Sequence, residues 1–217
     1  MIGGILMGSH GLIKEAIMGF NLKTVPSFVV RKKAFPFQVD AIRAIKDLPY
    51  AAVFHEQGLG KTKIAIDVVS HWLSQDIVDT VFIVTKKSLV KNWVDEITEH
   101  SHIKPSVLSE KKGKNNMALN APILLYVLNY EVIMSNIKLY SSFLKTCRVG
   151  VVLDESQKIK NPESKLTKSF FELSNSFYKK IIMTGTPVAN RPFDIWSQIY
   201  FLDSGKSLGN SFQDFKN

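Results

Sequence analysis

The chain has 217 residues and a single cysteine, Cys147. One cysteine excludes an internal disulfide framework and any zinc site built from several cysteines, and it indicates a reducing, intracellular setting. The sequence also lacks an uninterrupted run of about 20 apolar residues, and charged residues interrupt the mildly apolar first twenty positions. We therefore expect neither a membrane span nor a secretory signal peptide, and no membrane partner.

Arginine is scarce as well. Only four of the 28 basic residues are arginines, and with 19 acidic residues the formal charge is +9. This excess indicates a polyanionic partner, nucleic acid before an anionic membrane surface, although a lysine-rich solubilising surface explains it equally well. With 45% hydrophobic residues the chain can build a core and is not a disordered tail.

Short apolar runs alternate with amphipathic stretches between residues 36 and 203. The runs are Ala51–Phe54, Val78–Thr85, Ile123–Leu128, Arg148–Leu153 and Lys180–Met183. They are almost continuously apolar, as is typical of parallel strands covered on both faces. The alternation predicts an α/β domain of three layers, with a mostly parallel central sheet flanked by helices.

The stretches between the runs show helical spacing. Ile64, Val68 and Trp72 recur at steps of four and form one apolar face. Three tryptophans on such faces are predicted to be core residues: Trp72, Trp93 and Trp196. The polar, lysine-rich stretch Ser109–Asn120 is predicted to be a surface loop.

The clearest indication of a site is HEQGLGKT, His55–Thr62, which we call the phosphate loop. A loop around a triphosphate directs backbone N–H groups at the oxygens, and Gly58 and Gly60 lack the Cβ atoms that would hinder this. Lys61 is predicted to place a cation on the β and γ phosphates, and Thr62 to ligate Mg²⁺. The strict pattern G-x-x-x-x-G-K-[ST] is not met because His55 holds its first position. A chance glycine turn is the alternative.

Two adjacent acids follow the run Arg148–Leu153 in DESQ, Asp154–Gln157, which we call the acidic loop. Asp154 is predicted to hold the hydration shell of Mg²⁺, and Glu155 to orient and polarise the water that attacks the γ-phosphate. In isolation the pair is an ordinary acidic turn. Beside a phosphate loop the catalytic interpretation is favoured.

A third polar segment, TGTP, Thr184–Pro187, ends the last apolar run and is called the threonine loop here. Its small hydroxyl residues can hydrogen-bond the acidic loop and report the nucleotide state, so a coupling role is predicted for Thr184, Gly185 and Thr186. All three loops follow apolar strands at their carboxyl ends, where open α/β sheets bind ligands.

These segments, in this order, resemble the first RecA-like lobe of superfamily-two helicases, specifically the Swi/Snf-type DNA translocases. The resemblance covers roughly residues 35–203 and rests on six motifs. They are FPFQVDAIRAI (Phe35–Ile45), HEQGLGKT, IVTKKSLVKNWVDEI (Ile83–Ile97), VLNYE (Val127–Glu131), DESQKIKNPESK (Asp154–Lys165) and TGTPVANRPFDIWSQIYFLD (Thr184–Asp203). It implies a RecA-like P-loop fold with ATP and Mg²⁺ as cofactors.

The resemblance also implies roles for single residues. Gln38 would read the adenine edge with its amide, and Lys87 and Ser88 would contact the DNA backbone. Gln157 stands where the family usually has histidine, which places it in the coupling between hydrolysis and DNA binding. The nucleotide-binding residues would be those of the phosphate loop from position 57 onward and the lysine that follows it: Gln57, Gly58, Leu59, Gly60, Lys61, Thr62 and Lys63. Lys158 and Lys160 are further candidates for phosphate contacts, because the preceding acids hold them near the cleft.

By the same resemblance, residues 1–34 are a lead-in, 35–205 the ATP-binding lobe, and 206–217 a tail toward a second lobe. In the family the second lobe supplies arginine fingers and half of the DNA track, and no arginine here is an obvious finger. Loss of an arginine finger lowers rates by roughly 10³–10⁵. We therefore predict a lobe that binds ATP and double-stranded DNA and hydrolyses ATP only with a second RecA-like lobe, in cis or in trans.

Two alternatives remain. One is an RNA helicase lobe, although the KNW and IWS segments resemble the DNA-translocating branch. The other is a non-catalytic module that holds nucleotide or DNA without turnover. All of these functions imply an intracellular location: the cytoplasm or nucleoid of a bacterium or a phage-infected cell, or a nucleus.

Overall fold

The computed structural model describes residues 30–110, 112–188 and 191–216, so most of the predicted lead-in lies outside the described residues. In this part of the chain a six-stranded sheet forms in which every neighbouring pair is parallel. The strands are β1 (Tyr50–Val53), β2 (Thr80–Thr85), β3 (Ser106–Val107), β4 (Leu125–Asn129), β5 (Val149–Asp154) and β6 (Lys179–Met183). Their order across the sheet is β1-β6-β5-β2-β4-β3.

Helices connect the strands. They are α1 (Pro36–Ile45), α2 (Lys61–Ser74), α3 (Val90–His100), α4 (Lys112–Leu119), α5 (Tyr130–Ser135), α6 (Ile137–Leu144), α7 (Lys165–Ser174), α8 (Trp196–Asp203) and α9 (Phe212–Lys216). Short 3-10 turns lie at Lys87–Leu89, Ser156–Ile159 and Pro192–Ile195. Of the helices within the described ranges, none combines the length and hydrophobicity that crossing a lipid bilayer requires.

Alternate side chains of the sheet enter two separate hydrophobic clusters. Phe82 and Val84 of β2 pack into one cluster, and Val81 and Ile83 pack into the other. Because helices cover both faces, every residue of β2, β4, β5 and β6 is buried. This confirms the predicted three-layer α/β architecture. The tryptophans predicted as core residues are buried: Trp72, Trp93 and Trp196.

The prediction of a loop over Ser109–Asn120 is wrong, because α4 forms within it. Two residues of α4 one turn apart, Asn115 and Leu119, are each 2% exposed. Asn115 accepts a hydrogen bond from the Ser109 backbone N–H at 3.0 Å and donates to the Tyr140 hydroxyl at 3.3 Å. Because the polar Asn115 takes a buried position among the described side chains of α4, the helix has little apolar periodicity to reveal it.

The end of the chain packs against the domain. Phe212 of α9 lies 5.3 Å from the Trp196 ring and 6.0 Å from the Phe193 ring, measured between centroids. Phe212 of the predicted tail therefore forms a small aromatic cluster with Phe193 and Trp196.

The parallel sheet determines where the polar loops lie. The carboxyl ends of parallel strands meet at one edge of a sheet, so the loops after β1, β5 and β6 emerge on the same side. β5 lies between β6 and β2, and β6 lies beside β1. The phosphate, acidic and threonine loops thus emerge at neighbouring positions.

Candidate functional site

A cleft of about 660 Å³ opens at this edge of the sheet. Its walls come from the phosphate loop, the acidic loop, the start of α1 and one face of α3. The sequence-predicted residues in these walls are Gln38, Gln57, Gly58, Leu59, Gly60, Lys61, Thr62, Lys63, Asp154 and Glu155. The structure therefore brings the predicted nucleotide and magnesium residues together around one space.

The phosphate loop turns by means of its two glycines. Gly58 has a φ of +83° and Gly60 a φ of +67°, both in the left-handed region that disfavours residues with a Cβ atom. Gly60 is also the residue from which α2 begins, so the free N–H groups of the first turn of α2 lie beside the loop. A loop of this form, followed by a helix N-terminus, is suited to an anion.

The two lysines of this region have different partners. Lys61 Nζ donates to the backbone oxygens of His55 at 2.8 Å and Glu56 at 2.9 Å, so its ammonium group closes the loop on itself. Lys63 is 5% exposed and forms an ion pair with Asp67 one turn later, and burial raises the pKa of that aspartate. Lys61 is the cation that belongs to the loop, whereas the charge of Lys63 is balanced within α2.

Asp154 is fixed by three side chains from other elements. Its Oδ2 atom accepts hydrogen bonds from Thr85 Oγ1 at 2.9 Å and Trp93 Nε1 at 2.8 Å. The Tyr130 hydroxyl donates to its backbone oxygen at 2.7 Å. Burial raises the pKa of Asp154, while the bonds from Trp93 and Thr85 lower it. The carboxylate therefore has one oxygen engaged within the protein at the wall of the cleft.

Sequence reasoning missed these positions as site residues. Trp93 was assigned to the core on its helical spacing, which its burial bears out, but its indole N–H also reaches Asp154. Thr85 ends β2 and Tyr130 begins α5, immediately after β4. Both lie at the carboxyl ends of apolar strands, at the same edge of the sheet as Asp154, and this shared position is the signal that could have identified them.

Glu155 has an unusual backbone and two side-chain partners. Its φ is +54°, a left-handed conformation at a residue that is not glycine. Strain of this kind is typical of functional sites. Its Oε2 atom lies 3.4 Å from Lys86 Nζ and accepts a hydrogen bond from the Gln157 amide. The carboxylate at the cleft is thus held by a cation and an amide.

The threonine loop packs behind the phosphate loop. Thr184 is fully buried and its backbone N–H donates to the Val53 oxygen at 3.3 Å. A Cβ atom at Gly185 would lie 3.2 Å from Cγ of Gln57, so the two loops are in close contact. Thr184 Oγ1 accepts from the Thr186 backbone N–H at 3.0 Å, which shapes the threonine loop itself.

A buried glutamine connects the acidic and threonine loops. Ser156 Oγ donates to Gln198 Oε1 at 2.7 Å, and Gln198 Nε2 donates to the Pro187 backbone oxygen at 2.8 Å. Ser156 and Gln198 are both fully buried. We expected hydroxyls of the threonine loop to hydrogen-bond the acidic loop, whereas these hydrogen bonds join the loops through α8.

Comparison with known proteins agrees with this arrangement. The model of the SNF2-related domain matches residues 51–217, which is most of the chain. The chain belongs to the SNF2-related domain family. An uncharacterized ATP-dependent helicase of Mycoplasma pneumoniae is 30% identical over 178 residues, which are 79% of this chain and 16% of that protein. A RAD54-like DNA repair and recombination protein of Danio rerio is 25% identical over 241 residues, covering 97% of this chain and 31% of the relative.

A solved structure of the Sulfolobus solfataricus SWI2/SNF2 ATPase core in complex with dsDNA is similar to this SNF2-related domain, with a TM-score of 0.73 and 26% identity. The match covers 86% of this chain and 39% of that one. The chain therefore spans less than half the length of each of these relatives.

The lysines predicted to contact DNA in this SNF2-related domain lie outside the walls of the cleft. The Lys87 side chain is 77% exposed and lies 3.2 Å from Glu110, and Ser88 beside it is exposed. Lys158 pairs with Glu131 at 3.6 Å and Lys160 with Asp194 at 3.2 Å. Each of these three lysines is thus paired with an acid, and the partner of Lys160, Asp194, is buried.

Within the described part of the SNF2-related domain, the lining of the cleft includes no arginine. Arg31 donates to the Thr98 backbone oxygen, Arg43 pairs with Asp40, and Arg148 pairs with Asp79. Arg191 lines a separate cleft of about 400 Å³ that also includes Lys160. The side chains in the lining of the nucleotide-sized cleft that carry a permanent positive charge are therefore lysines.

Proposed function

We propose that this SNF2-related domain is the ATP-binding first lobe of a DNA-dependent ATPase and translocase, and that it spans residues 35–205. One observation carries the proposal: a single cleft is lined by residues that are far apart in sequence, Lys61 and Thr62 at the start of α2 and Asp154 and Glu155 at the end of β5. The family membership supports the same function.

The residues of the cleft fit Mg²⁺ and ATP. Two left-handed glycines ahead of the first turn of α2 suit a phosphate chain, and a carboxylate with a hydroxyl is the oxygen donor set that Mg²⁺ prefers. Thr62 and Asp154 would hold the metal. When bound, Mg²⁺ neutralises charge on the transferred phosphate.

The side chains have separate tasks in this proposal. Lys61 exchanges the backbone oxygens of His55 and Glu56 for phosphate oxygens, and Glu155 orients the attacking water. Gln38 is 4% exposed, and its Oε1 atom accepts from the Phe35 backbone N–H at 2.9 Å, so its amide is fixed at the wall where it would read the adenine edge.

Duplex DNA is the proposed partner. Lys87 and Ser88 after β2, with Lys158 and Lys160 after β5, offer phosphate contacts that do not depend on base sequence. The similar Sulfolobus solfataricus core is in complex with dsDNA, which favours a duplex over RNA. The coupling residues would be Gln157, Thr184, Gly185 and Thr186, with Gln198 as the buried connection between their loops.

Hydrolysis would need a second lobe, because no arginine lines the cleft within the described residues. Assays of phosphate release by this chain, with and without duplex DNA, test this point. We expect ATP binding with turnover close to background in both conditions. Robust DNA-stimulated hydrolysis by these 217 residues would contradict the need for a second lobe.

A non-catalytic nucleotide- or DNA-binding module is the second candidate. The engagement of Glu155 by Lys86 and Gln157 favours it, since a carboxylate held in this way is not free to orient water. Supplying a second lobe separates the two functions. ATP turnover that appears when a second lobe is added supports the ATPase lobe, and binding of ATP or DNA without turnover supports the non-catalytic module.

A further inference from the structure

The carboxylate of Glu155 is the proposed water-orienting group, and it is held from two sides. Lys86 Nζ lies 3.4 Å from its Oε2 atom, and the Gln157 amide donates to the same atom. The side chain of Glu155 is 23% exposed, so the hold is at the rim of the cleft and within reach of solvent.

Lys86 connects this carboxylate with the proposed DNA surface. It directly follows β2 and precedes Lys87 and Ser88, and β2 is the neighbour of β5 in the sheet. Its side chain is 39% exposed. One flexible cation therefore lies between the acid at the cleft and the surface where phosphates would bind.

Such a cation is easily exchanged. Ion pairs with this degree of exposure contribute at most about fivefold to an equilibrium constant, and a DNA phosphate is a strong competing anion. When the Lys86 ammonium group turns toward a DNA phosphate, it moves away from the Glu155 carboxylate, and the attraction between these two groups weakens. The pair Lys86–Glu155 and a contact between Lys86 and DNA would thus oppose each other.

Gln157 makes the hold easier to rearrange. Its Oε1 atom is buried and accepts no hydrogen bond from the described residues, while its Nε2 atom donates to Glu155. A buried acceptor without a partner is unfavourable. The Gln157 amide therefore holds Glu155 in the present arrangement, but it gains from any movement that gives this oxygen a donor.

We propose that Lys86 is a DNA-responsive restraint on Glu155. Without DNA, Lys86 and Gln157 hold the carboxylate away from its catalytic task. A DNA phosphate draws Lys86 toward the duplex and releases the carboxylate. The inference deepens the proposed function and rests on it, because it requires both the role of Glu155 and a DNA surface beside Lys87.

Thermodynamic linkage gives the test, because competition is reciprocal. If Glu155 competes with DNA for Lys86, removing the charge of Glu155 must strengthen DNA binding, and this gain must disappear without Lys86. Fluorescence anisotropy at low salt would measure duplex affinity for the wild type, Glu155→Gln, Lys86→Met and the double variant. When Lys86 is present, we expect Glu155→Gln to bind duplex DNA about two- to fivefold more tightly than the wild type does.

A second exposed ion pair gives the matched control. Lys91 and Asp95 are 3.6 Å apart in α3, and Asp95→Asn removes one exposed acidic charge that is paired with a different lysine. The effect of Asp95→Asn on affinity should be equal in the wild-type and Lys86→Met backgrounds. In the Lys86→Met background, the gain in duplex affinity from Glu155→Gln should be no larger than the gain from Asp95→Asn.

The salt dependence of duplex affinity is a further measurement, and its expected change would not result from a loss of folding. Duplex affinity falls as salt rises, and Lys86→Met should make the slope of log affinity against log salt less negative by about 0.9, the value of one phosphate contact. A gain from Glu155→Gln that is undiminished in the Lys86→Met background would overturn the restraint while leaving the DNA surface intact. Failure of every variant to bind duplex DNA would overturn the restraint and the proposed DNA partner together.

Discussion

Comparing Gly60→Ala with Gly58→Ala distinguishes the effect of backbone strain from that of a steric clash in the wall of the cleft. Gly58 and Gly60 both have positive φ angles, so alanine at either position carries a strain of about 1–2 kcal/mol. Their surroundings differ. A Cβ atom at Gly58 has nothing within 4 Å, whereas one at Gly60 would lie 2.2 Å from Gln38 Nε2.

The clash at position 60 has a calculable consequence. Gln38 is buried, and its Oε1 atom accepts the Phe35 backbone N–H at 2.9 Å. Moving the amide breaks this bond and leaves buried polar atoms without partners, which costs about 1–3 kcal/mol. We therefore expect Gly58→Ala to lower the free energy of unfolding by ~1–2 kcal/mol and Gly60→Ala to lower it by about 2–5 kcal/mol.

Urea unfolding with linear extrapolation measures both values. In a Gln38→Ala background the clash is absent, so the difference between the two glycine variants should shrink. If Gln38 reads adenine, Gly60→Ala should also lose the preference for ATP over GTP in competition with a fluorescent nucleotide. Equal destabilisation by the two alanines would refute the packing of Gln38 against the phosphate loop.

Two further outcomes follow from buried polar groups. Trp93→Phe removes the indole donor to Asp154 and should weaken ATP binding about tenfold in the presence of Mg²⁺ but not in EDTA. The control Trp72→Phe loses a bond of the same length, 2.8 Å, to the backbone oxygen of Lys46 and should change neither affinity. Equal effects of the two substitutions would contradict the role of Trp93. Burial lowers the pKa of Lys180 from 10.5 to about 8. Below pH 8 this lysine is charged in both the folded and the unfolded protein. Between pH 8 and 10.5 it is neutral in the folded protein but still charged in the unfolded protein. The stability of the wild type relative to Lys180→Met should therefore rise by ~2 kcal/mol between pH 7.5 and 9.5 in urea unfolding, and a flat difference would refute the desolvation of Lys180.

The parts of the fold and site that follow from sequence are those that depend on local patterns. Continuous apolar runs predict strands covered on both faces, and parallel strands necessarily bring the loops after β1, β5 and β6 to one edge. For this reason the positions of Lys61, Asp154 and Thr184 follow from their places along the chain.

The remaining features depend on contacts between elements that are distant in sequence. The bond from Trp93 to Asp154 requires α3 to lie over the end of β5, and no spacing in either segment encodes this. Gln198 connects the acidic and threonine loops only because α8 packs beneath both of them. α4 was not predicted because a buried asparagine, Asn115, satisfied by Ser109 and Tyr140, occupies one of its inward positions.

The central claim is that the phosphate loop, with Lys61 as its cation, binds Mg²⁺ and ATP. Calorimetric titration of Mg²⁺·ATP into the wild type and into Lys61→Ala tests it most directly, with Lys91→Ala as a control for the loss of one exposed positive charge. We expect saturable binding by the wild type and Lys91→Ala, and at least tenfold weaker binding by Lys61→Ala, because a charge-assisted contact contributes about 1.5–3 kcal/mol. Unchanged affinity in Lys61→Ala, or no binding by the wild type, would contradict the account.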